Sequence, residues 1–90
     1  MIKRKVIFEP KARDEYQEWK GENEKIVERI KELIRDIKIN PFKGLGKPEP
    51  LKHDLQGYWS RRIDKVNRLV YAVTDEEIVV ISCKYHYEKH

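Results

Sequence analysis

The sequence predicts an α+β domain in which two N-terminal helices pack on one face of a small, mainly antiparallel twisted sheet, in the order β-α-α-β-β-β. Two helical periodicities in the first half of the chain and three runs of alternating residues in the second half predict this fold. A chain of 90 residues has room for one modest hydrophobic core. We therefore expect a single domain over residues 1–90.

The first predicted elements are a strand and a short helix. The strand covers Lys3 to Phe8 and stops at Glu9-Pro10, and proline suits the first turn of the helix that follows. In that helix Ala12, Tyr16 and Trp19 recur at i, i+4 and i+7, which is typical of core packing. We expect the helix to end near Gly21.

A second, longer helix has the clearest periodicity in the chain. Asn23 is a good N-cap, and Asn40-Pro41 ends the pattern. The apolar stripe consists of Ile26, Ile30, Leu33, Ile34 and Ile37. We expect this stripe to pack on the sheet, with the charged residues of the helix in solvent.

Three strands are predicted in the second half, over Tyr58 to Ile63, Arg68 to Thr74 and Ile78 to Tyr87. The short joins between them favour antiparallel hairpins. Odd positions are mostly apolar and should face the helices, with Arg61 as an exception that we expect to snorkel. The even positions, expected on the open face, include Ser60, Arg62, Arg68, Ser82, Lys84 and His86.

The charge, the apolar runs and the single cysteine indicate which partners and which compartment to expect. The net charge is +4 and the pI about 9.2, with a basic excess between Lys43 and Arg68, which is compatible with a nucleic-acid partner. No apolar run approaches the roughly 20 residues of a spanning helix, and the N-terminus lacks a signal-peptide pattern. Cys83 is the only cysteine, so no intramolecular disulfide can form. We expect a cytoplasmic protein without a membrane partner.

The segment from Gly44 to Ile63 places a carboxylate where a small domain normally has only a connection. Glu49 stands between Pro48 and Pro50, and each proline restricts both its own φ and the residue before it. A carboxylate held in this way is preorganised. Lys52 follows closely, before the next strand begins.

A stiff carboxylate, a histidine near the last strand's end and arginines between them suit RNA cleavage without a metal. The carboxylate takes the 2′-hydroxyl proton, the 2′-oxygen attacks phosphorus, an acid protonates the leaving oxygen, and cations stabilise the charge. His86 and His90 imitate metal-ligand spacing, but no further ligand is evident, so we expect neither metal nor cofactor. On the residues alone, a non-catalytic RNA- or ribosome-binding module and a domain that binds an acidic protein stay open.

Several motifs together resemble the YoeB toxins of the RelE superfamily. They are PFKG at 41–44, GKPEPLKH at 46–53, GYWSRRI at 57–63, RLVYAVT at 68–74 and YHY at 85–87. The resemblance covers nearly the whole chain, and the motifs are specific in combination. It implies a RelE-like fold and a toxin of a type II toxin-antitoxin pair that cuts mRNA in the ribosomal A site.

The resemblance also implies roles for individual residues. Glu49 would be the general base, His86 the general acid and Arg68 the main transition-state cation. Lys52 and Arg62 would hold phosphate, and Tyr87 would shape the site. Arg61 and Lys84 are further substrate-binding candidates. The expected partners are mRNA on the ribosome, an antitoxin of the Phd/YefM type and a second copy of the chain.

Overall fold

Two helices and a five-stranded mixed sheet form the structure, a computed structural model that describes residues 3–86. The helices are α1 (Pro10–Glu22) and α2 (Glu24–Ile39). The strands are β1 (Lys5–Phe8), β2 (Glu49–Pro50), β3 (Trp59–Arg62), β4 (Asn67–Val73) and β5 (Glu77–His86), and one 3-10 turn covers His53–Leu55. The predicted α+β class and element order are confirmed, with β2 as an additional short strand.

The strands lie in the order β1-β5-β4-β3-β2. The pairs β2–β3, β3–β4 and β4–β5 are antiparallel, which confirms the predicted hairpins, whereas β1 runs parallel to β5. β2 is an edge strand, and Pro50 fits there because a strand edge does not need its missing N–H. The Glu49 segment therefore lies along β3 as a strand edge rather than as an isolated loop.

Helix α2 forms where the sequence predicts it because both ends are capped. The Asn23 Oδ1 accepts hydrogen bonds from the backbone N–H groups of Lys25 and Ile26, at 3.1 and 3.3 Å. At the other end, the N–H of Asn40 donates to the carbonyl of Asp36. The buried positions of this helix are Val27, Ile30, Leu33 and Ile37, while Ile26 and Ile34 pack at the margin of the core.

Helix α1 packs on β5 through Ala12 and Trp19, both of which are buried. The indole Nε1 of Trp19 donates to the carbonyl of Cys83 at 2.9 Å, so a ring with a polar edge is satisfied inside the core. Burial raises the pKa of the Cys83 thiol to about 12. This thiol is thus protonated at neutral pH and belongs to the core.

The core between helices and sheet is completed by one side of β4 and β5. Leu69 and Tyr71 of β4 and Ile78, Val80 and Cys83 of β5 all lie in this cluster. Because a strand alternates its side chains, the residues between them point to the opposite side of the sheet. No helix among residues 3–86 has the length and apolar character required to cross a membrane.

Candidate catalytic face

The face of the sheet turned away from the helices carries the candidate site. Glu49 of β2 is paired with Ser60 of β3, and Arg62 of β3 is paired with Arg68 of β4. Directly paired residues share a side of the sheet, as do residues two apart along one strand. These four side chains therefore lie on one surface, named the outer face here, and the predicted alternation is confirmed for β3 and β4.

Glu49 is held at the edge of this face by its backbone. The flanking strand bonds run from Arg62 N to the carbonyl of Gly46 at 2.7 Å and from Leu51 N to the carbonyl of Tyr58 at 2.9 Å. The carboxylate itself is exposed and makes no hydrogen bond or ion pair with any other residue of 3–86. It is thus a proton acceptor on a fixed backbone, and it is accessible to a ligand.

Arg68 is only 5% exposed and is anchored from the turn between β3 and β4. Its Nη1 donates to the carbonyl of Asp64 at 3.2 Å. Burial raises the pKa of Asp64, but hydrogen bonds from the N–H groups of Asn67 and Val66, together with the Arg68 charge, outweigh it, so the pKa lies below its ordinary value. The turn carboxylate therefore stays ionised beside the guanidinium and helps to fix it.

Arg62 and Lys52 are exposed, in contrast to Arg68. Arg62 lies beside it on the outer face, whereas Lys52 follows β2 in the connection to the 3-10 turn. An open groove of about 420 Å³ borders this connection and is lined by residues 50–53 and 56–59. Two cations and a groove next to Glu49 suit a polyanionic chain.

Arg61 does not snorkel and is not a substrate-binding residue; both predictions were wrong. Its side chain is fully buried on the helix side of the sheet. Nη1 donates to Asp36 Oδ2 at 2.5 Å, Nε donates to the hydroxyl of Tyr71 at 3.1 Å, and Nη2 donates to the carbonyls of Asn40 and Lys43. All of these donors are directed into the protein, so none can reach an RNA.

The predicted alternation fails along β5 from its start, because the even positions Ile78 and Val80 face the helices, and two register shifts follow within the strand. Val73 pairs with Ile78 and Val70 with Ser82, but Arg68 pairs with Tyr85, so β5 holds two residues more than β4 over this span. Each extra residue reverses which side the following positions face.

Lys84 lies on the helix side as well, because the two reversals cancel, and its assignment as substrate-binding was wrong. Its Nζ lies 2.9 Å from Glu18 and 3.6 Å from Glu22 of α1, and 4.5 Å from the centre of the Trp19 ring. The hydrogen bond from its ammonium to Glu18 raises the pKa of Lys84. This lysine fastens β5 to α1.

His86 is exposed at the end of β5 and is paired with Asn67, while Tyr85 is paired with Arg68. The prediction that His86 lies on the open face with Arg68 was wrong, since His86 pairs with Asn67, which alternates with Arg68 along β4 and faces the other side. Tyr87 falls outside the described residues. Within residues 3–86, no three His, Cys, Asp or Glu side chains form a group that could hold a metal ion.

Sequence reasoning gave no role to Ser60, which lies between Glu49 and Val70 across the sheet. It is 1% exposed, and its hydroxyl has no hydrogen-bond partner among residues 3–86. Alternation placed Ser60 on the correct face. Only the pairing of β2 with β3 shows that it is the direct neighbour of the exposed carboxylate.

Comparison with known proteins places this geometry in a family. Residues 8–87 match the family model described as a YoeB-like toxin of a bacterial type II toxin-antitoxin system. The chain is 51% identical to Toxin YoeB of Escherichia coli strain K12 over 92% of its length and 99% of that protein. It is 49% identical to Toxin YoeB of Streptomyces coelicolor over the same shares of the two chains.

Comparison with solved structures supports the same family. The chain superposes on the YoeB dimer from Staphylococcus aureus with a TM-score of 0.89 and 44% identity, covering 94% of this chain and 99% of that one. YoeB in the heterotetrameric YoeB-YefM complex from the same organism superposes with a TM-score of 0.86 and 45% identity, covering 93% of this chain and 98% of that one. YafQ from E. coli shares only the fold, at 17% identity and a TM-score of 0.76, with 90% and 91% covered. The chain therefore belongs to the YoeB-like toxins of bacterial type II toxin-antitoxin systems.

Proposed function

We propose that this toxin is an endoribonuclease that cuts mRNA in the A site of the ribosome and so inhibits translation. The observation that carries the proposal is the outer face, where an exposed carboxylate at Glu49 lies in the same surface as Arg62 and Arg68. A surface that only bound phosphate would gain nothing from a negative charge at its edge. A proton acceptor beside two arginines is what cleavage at a 2′-hydroxyl needs.

The reaction would be a transesterification within the RNA. Glu49 takes the proton of the 2′-hydroxyl, and the 2′-oxygen attacks the adjacent phosphorus. The bond from phosphorus to the 5′-oxygen breaks, and a proton from His86 goes to that oxygen. The nucleophile and leaving group both belong to the substrate, so the protein supplies only the base, the acid and positive charge.

The buried cation and the exposed cations would have different roles. Arg68 is buried and anchored, so it is preorganised to stabilise charge on the phosphorane oxygens. Arg62 and Lys52 are exposed and would hold flanking phosphates. His86 is exposed at the end of β5 and would donate the proton to the leaving oxygen, as the family resemblance implies. Tyr87 would shape the site, as the family resemblance implies.

Partners follow from the relatives. The S. aureus YoeB structures show a dimer and a heterotetramer with YefM. We extend both to this chain: a homodimer, and neutralisation by an antitoxin of the Phd/YefM type. We also place its action in the cytoplasm, where translating ribosomes are found.

The products of cleavage test the mechanism. Ribosomes programmed with a defined mRNA are incubated with the toxin, and the RNA ends are typed with polynucleotide kinase. The downstream fragment should carry a 5′-hydroxyl, and the upstream fragment a 2′,3′-cyclic phosphate or its opened 3′-phosphate. A 5′-phosphate would show that water, rather than the 2′-oxygen, attacks phosphorus, and the proposed mechanism would be wrong.

A further inference from the structure

Ser60 is a buried hydroxyl in the middle of β3 that the fold does not use. Its side chain is 1% exposed, and its Oγ has no hydrogen-bond partner among residues 3–86. Buried polar side chains are nearly always bonded, because leaving such a group unpaired costs stability. A serine in this state therefore has a partner that the isolated protein does not supply in its resting arrangement.

The neighbours of Ser60 across the sheet identify that partner. On β4 it faces Val70, whose side chain cannot accept a hydrogen bond. On β2 it faces Glu49, whose carboxylate is likewise without a hydrogen bond to residues 3–86. Side chains paired in this way have Cβ atoms about 4.5–5.5 Å apart. The carboxylate of Glu49 is thus the acceptor that the strand pairing places beside the Ser60 hydroxyl.

Ser82 shows what a satisfied serine looks like on the same sheet. It pairs with Val70 from the other side, and its exposed fraction, 4%, is close to that of Ser60. Its hydroxyl donates to Glu15 Oε1 at 3.1 Å and accepts from the N–H of Lys84 at 3.3 Å. The hydroxyl of Ser82 thus bonds β5 to α1, whereas that of Ser60 has no partner among residues 3–86.

We infer that Ser60 is a positioning residue for Glu49. Its hydroxyl donates a hydrogen bond to the Glu49 carboxylate when RNA occupies the outer face, and so orients the proton acceptor toward the 2′-hydroxyl. A donor fixed in a central strand is better placed for this than a loop side chain, because its strand cannot shift. The inference rests on the proposed function, since it assigns Ser60 to the same reaction.

The test compares Ser60→Ala with the matched control Ser82→Ala. Ser60→Ala should keep or raise the melting temperature, because it removes an unsatisfied hydroxyl. Its single-turnover cleavage rate on saturating programmed ribosomes should fall about tenfold or more, the range expected for one hydrogen bond to a charged group. The ribosome concentration for half-maximal rate should stay unchanged. Ser82→Ala should show the reverse, with a lower melting temperature and the parent's cleavage rate.

Three results would overturn the inference. The first is a parental cleavage rate in Ser60→Ala. The second is a fall in melting temperature as large as that of Ser82→Ala, which would make Ser60 structural. The third is weaker ribosome binding with an unchanged saturated rate, which would make Ser60 a contact to RNA instead. Two further measurements in the same series separate the failures: a parent that cuts no mRNA rejects the proposed function, and a Glu49→Gln variant that cleaves like the parent rejects Glu49 as the proton acceptor and the inference with it. Slow Glu49→Gln together with normal Ser60→Ala rejects the inference alone.

Discussion

Arg61 of β3 donates to Asp36 of α2 at 2.5 Å, although the arginine side chain is fully buried and the carboxylate is not. The same guanidinium also bonds the carbonyls of Asn40, Lys43 and Leu45. It therefore joins the sheet, the end of the second helix and the segment that leads to Glu49. Adjacent arginines in one strand thus have different tasks: Arg61 supports the scaffold, and Arg62 belongs to the outer face.

Arg61→Ala should lose stability, whereas Arg68→Ala should lose cleavage rate. Arg61→Ala leaves Asp36, three carbonyls and the Tyr71 hydroxyl without their donor; because Asp36 is partly exposed, the cost should lie near the lower end, about 3 kcal/mol, of that for breaking a buried pair. Its free energy of unfolding should fall by that order. Arg68→Ala should fold, and lose about 10²–10³ in cleavage rate, which is typical for one preorganised donor of charge stabilisation.

Urea titration and single-turnover cleavage of the two variants check this pair. The rate for Arg61→Ala is taken at a temperature where circular dichroism shows the variant folded. A stable Arg61→Ala protein, or equal loss of rate in two folded variants, would contradict the assignment of the two arginines to opposite sides of the sheet.

Asp36 should contribute to stability above acidic pH. Hydrogen bonds from the N–H of Leu45 and from Arg61 hold the pKa of Asp36 below its ordinary value of 3.8. A carboxyl whose pKa is lower in the folded state stabilises that state above the unfolded pKa, and the contribution disappears as the pH falls through the folded pKa. The parent should therefore lose stability between about pH 5 and pH 2.

Asp36→Asn isolates that contribution. The variant should be less stable than the parent at pH 7, and the difference should shrink toward pH 2. Some acid sensitivity should remain, because the pKa of Asp64 is also lowered. Urea midpoints are measured for both proteins across the pH series. A stability difference between parent and variant that stays constant down to pH 2 would show that ionisation of Asp36 does not contribute to stability.

His86→Gln tests the general acid. Glutamine keeps much of the shape and hydrogen-bonding capacity, but cannot deliver a proton near neutral pH. Cleavage should fall by about 10²–10⁴, with the melting temperature unchanged because the side chain is exposed. Cleavage by His86→Gln at the parental rate would show that His86 is an ordinary surface histidine without a catalytic role.

The sequence predicted β3 and β4 well because their alternation is regular. Leu69 and Tyr71 are buried on the helix side, while Arg62 and Arg68 lie on the outer face, as period-two alternation requires. The Asn23 cap of α2 was equally readable, since asparagine at that position bonds the first N–H groups of a helix. Local chemistry decides these features, so the chain alone reveals them.

The facing of β5 was misjudged because the sequence does not show which residue of β5 pairs with Val73, and the pairing with Ile78 turns the even positions toward the helices. Lys84 fits either side of a strand by residue type, and only its contacts show that it lies over Trp19. Arg61 was misjudged because an arginine at a core-facing position usually extends to solvent. Its burial depends on acceptors that come from α2 and from the segment 40–45, which are distant in sequence.

Glu49→Gln separates an enzyme from a module that blocks translation by occupying the ribosome. Glutamine keeps the volume between the two prolines and removes only the basicity. Binding depends on lysines and arginines that meet phosphate, so the loss of one negative charge should leave affinity equal or slightly higher. Proton removal from the 2′-hydroxyl needs the carboxylate, so cleavage should fall by about 10²–10⁴.

The most direct measurement is therefore paired: ribosome pelleting and primer-extension mapping of cleavage on the same preparation of Glu49→Gln, beside the parent. The account predicts normal pelleting, little cleavage and tolerance of the variant when it is expressed. Normal pelleting together with a block of translation as strong as the parent's would show that the protein acts by occupancy, and would contradict the account.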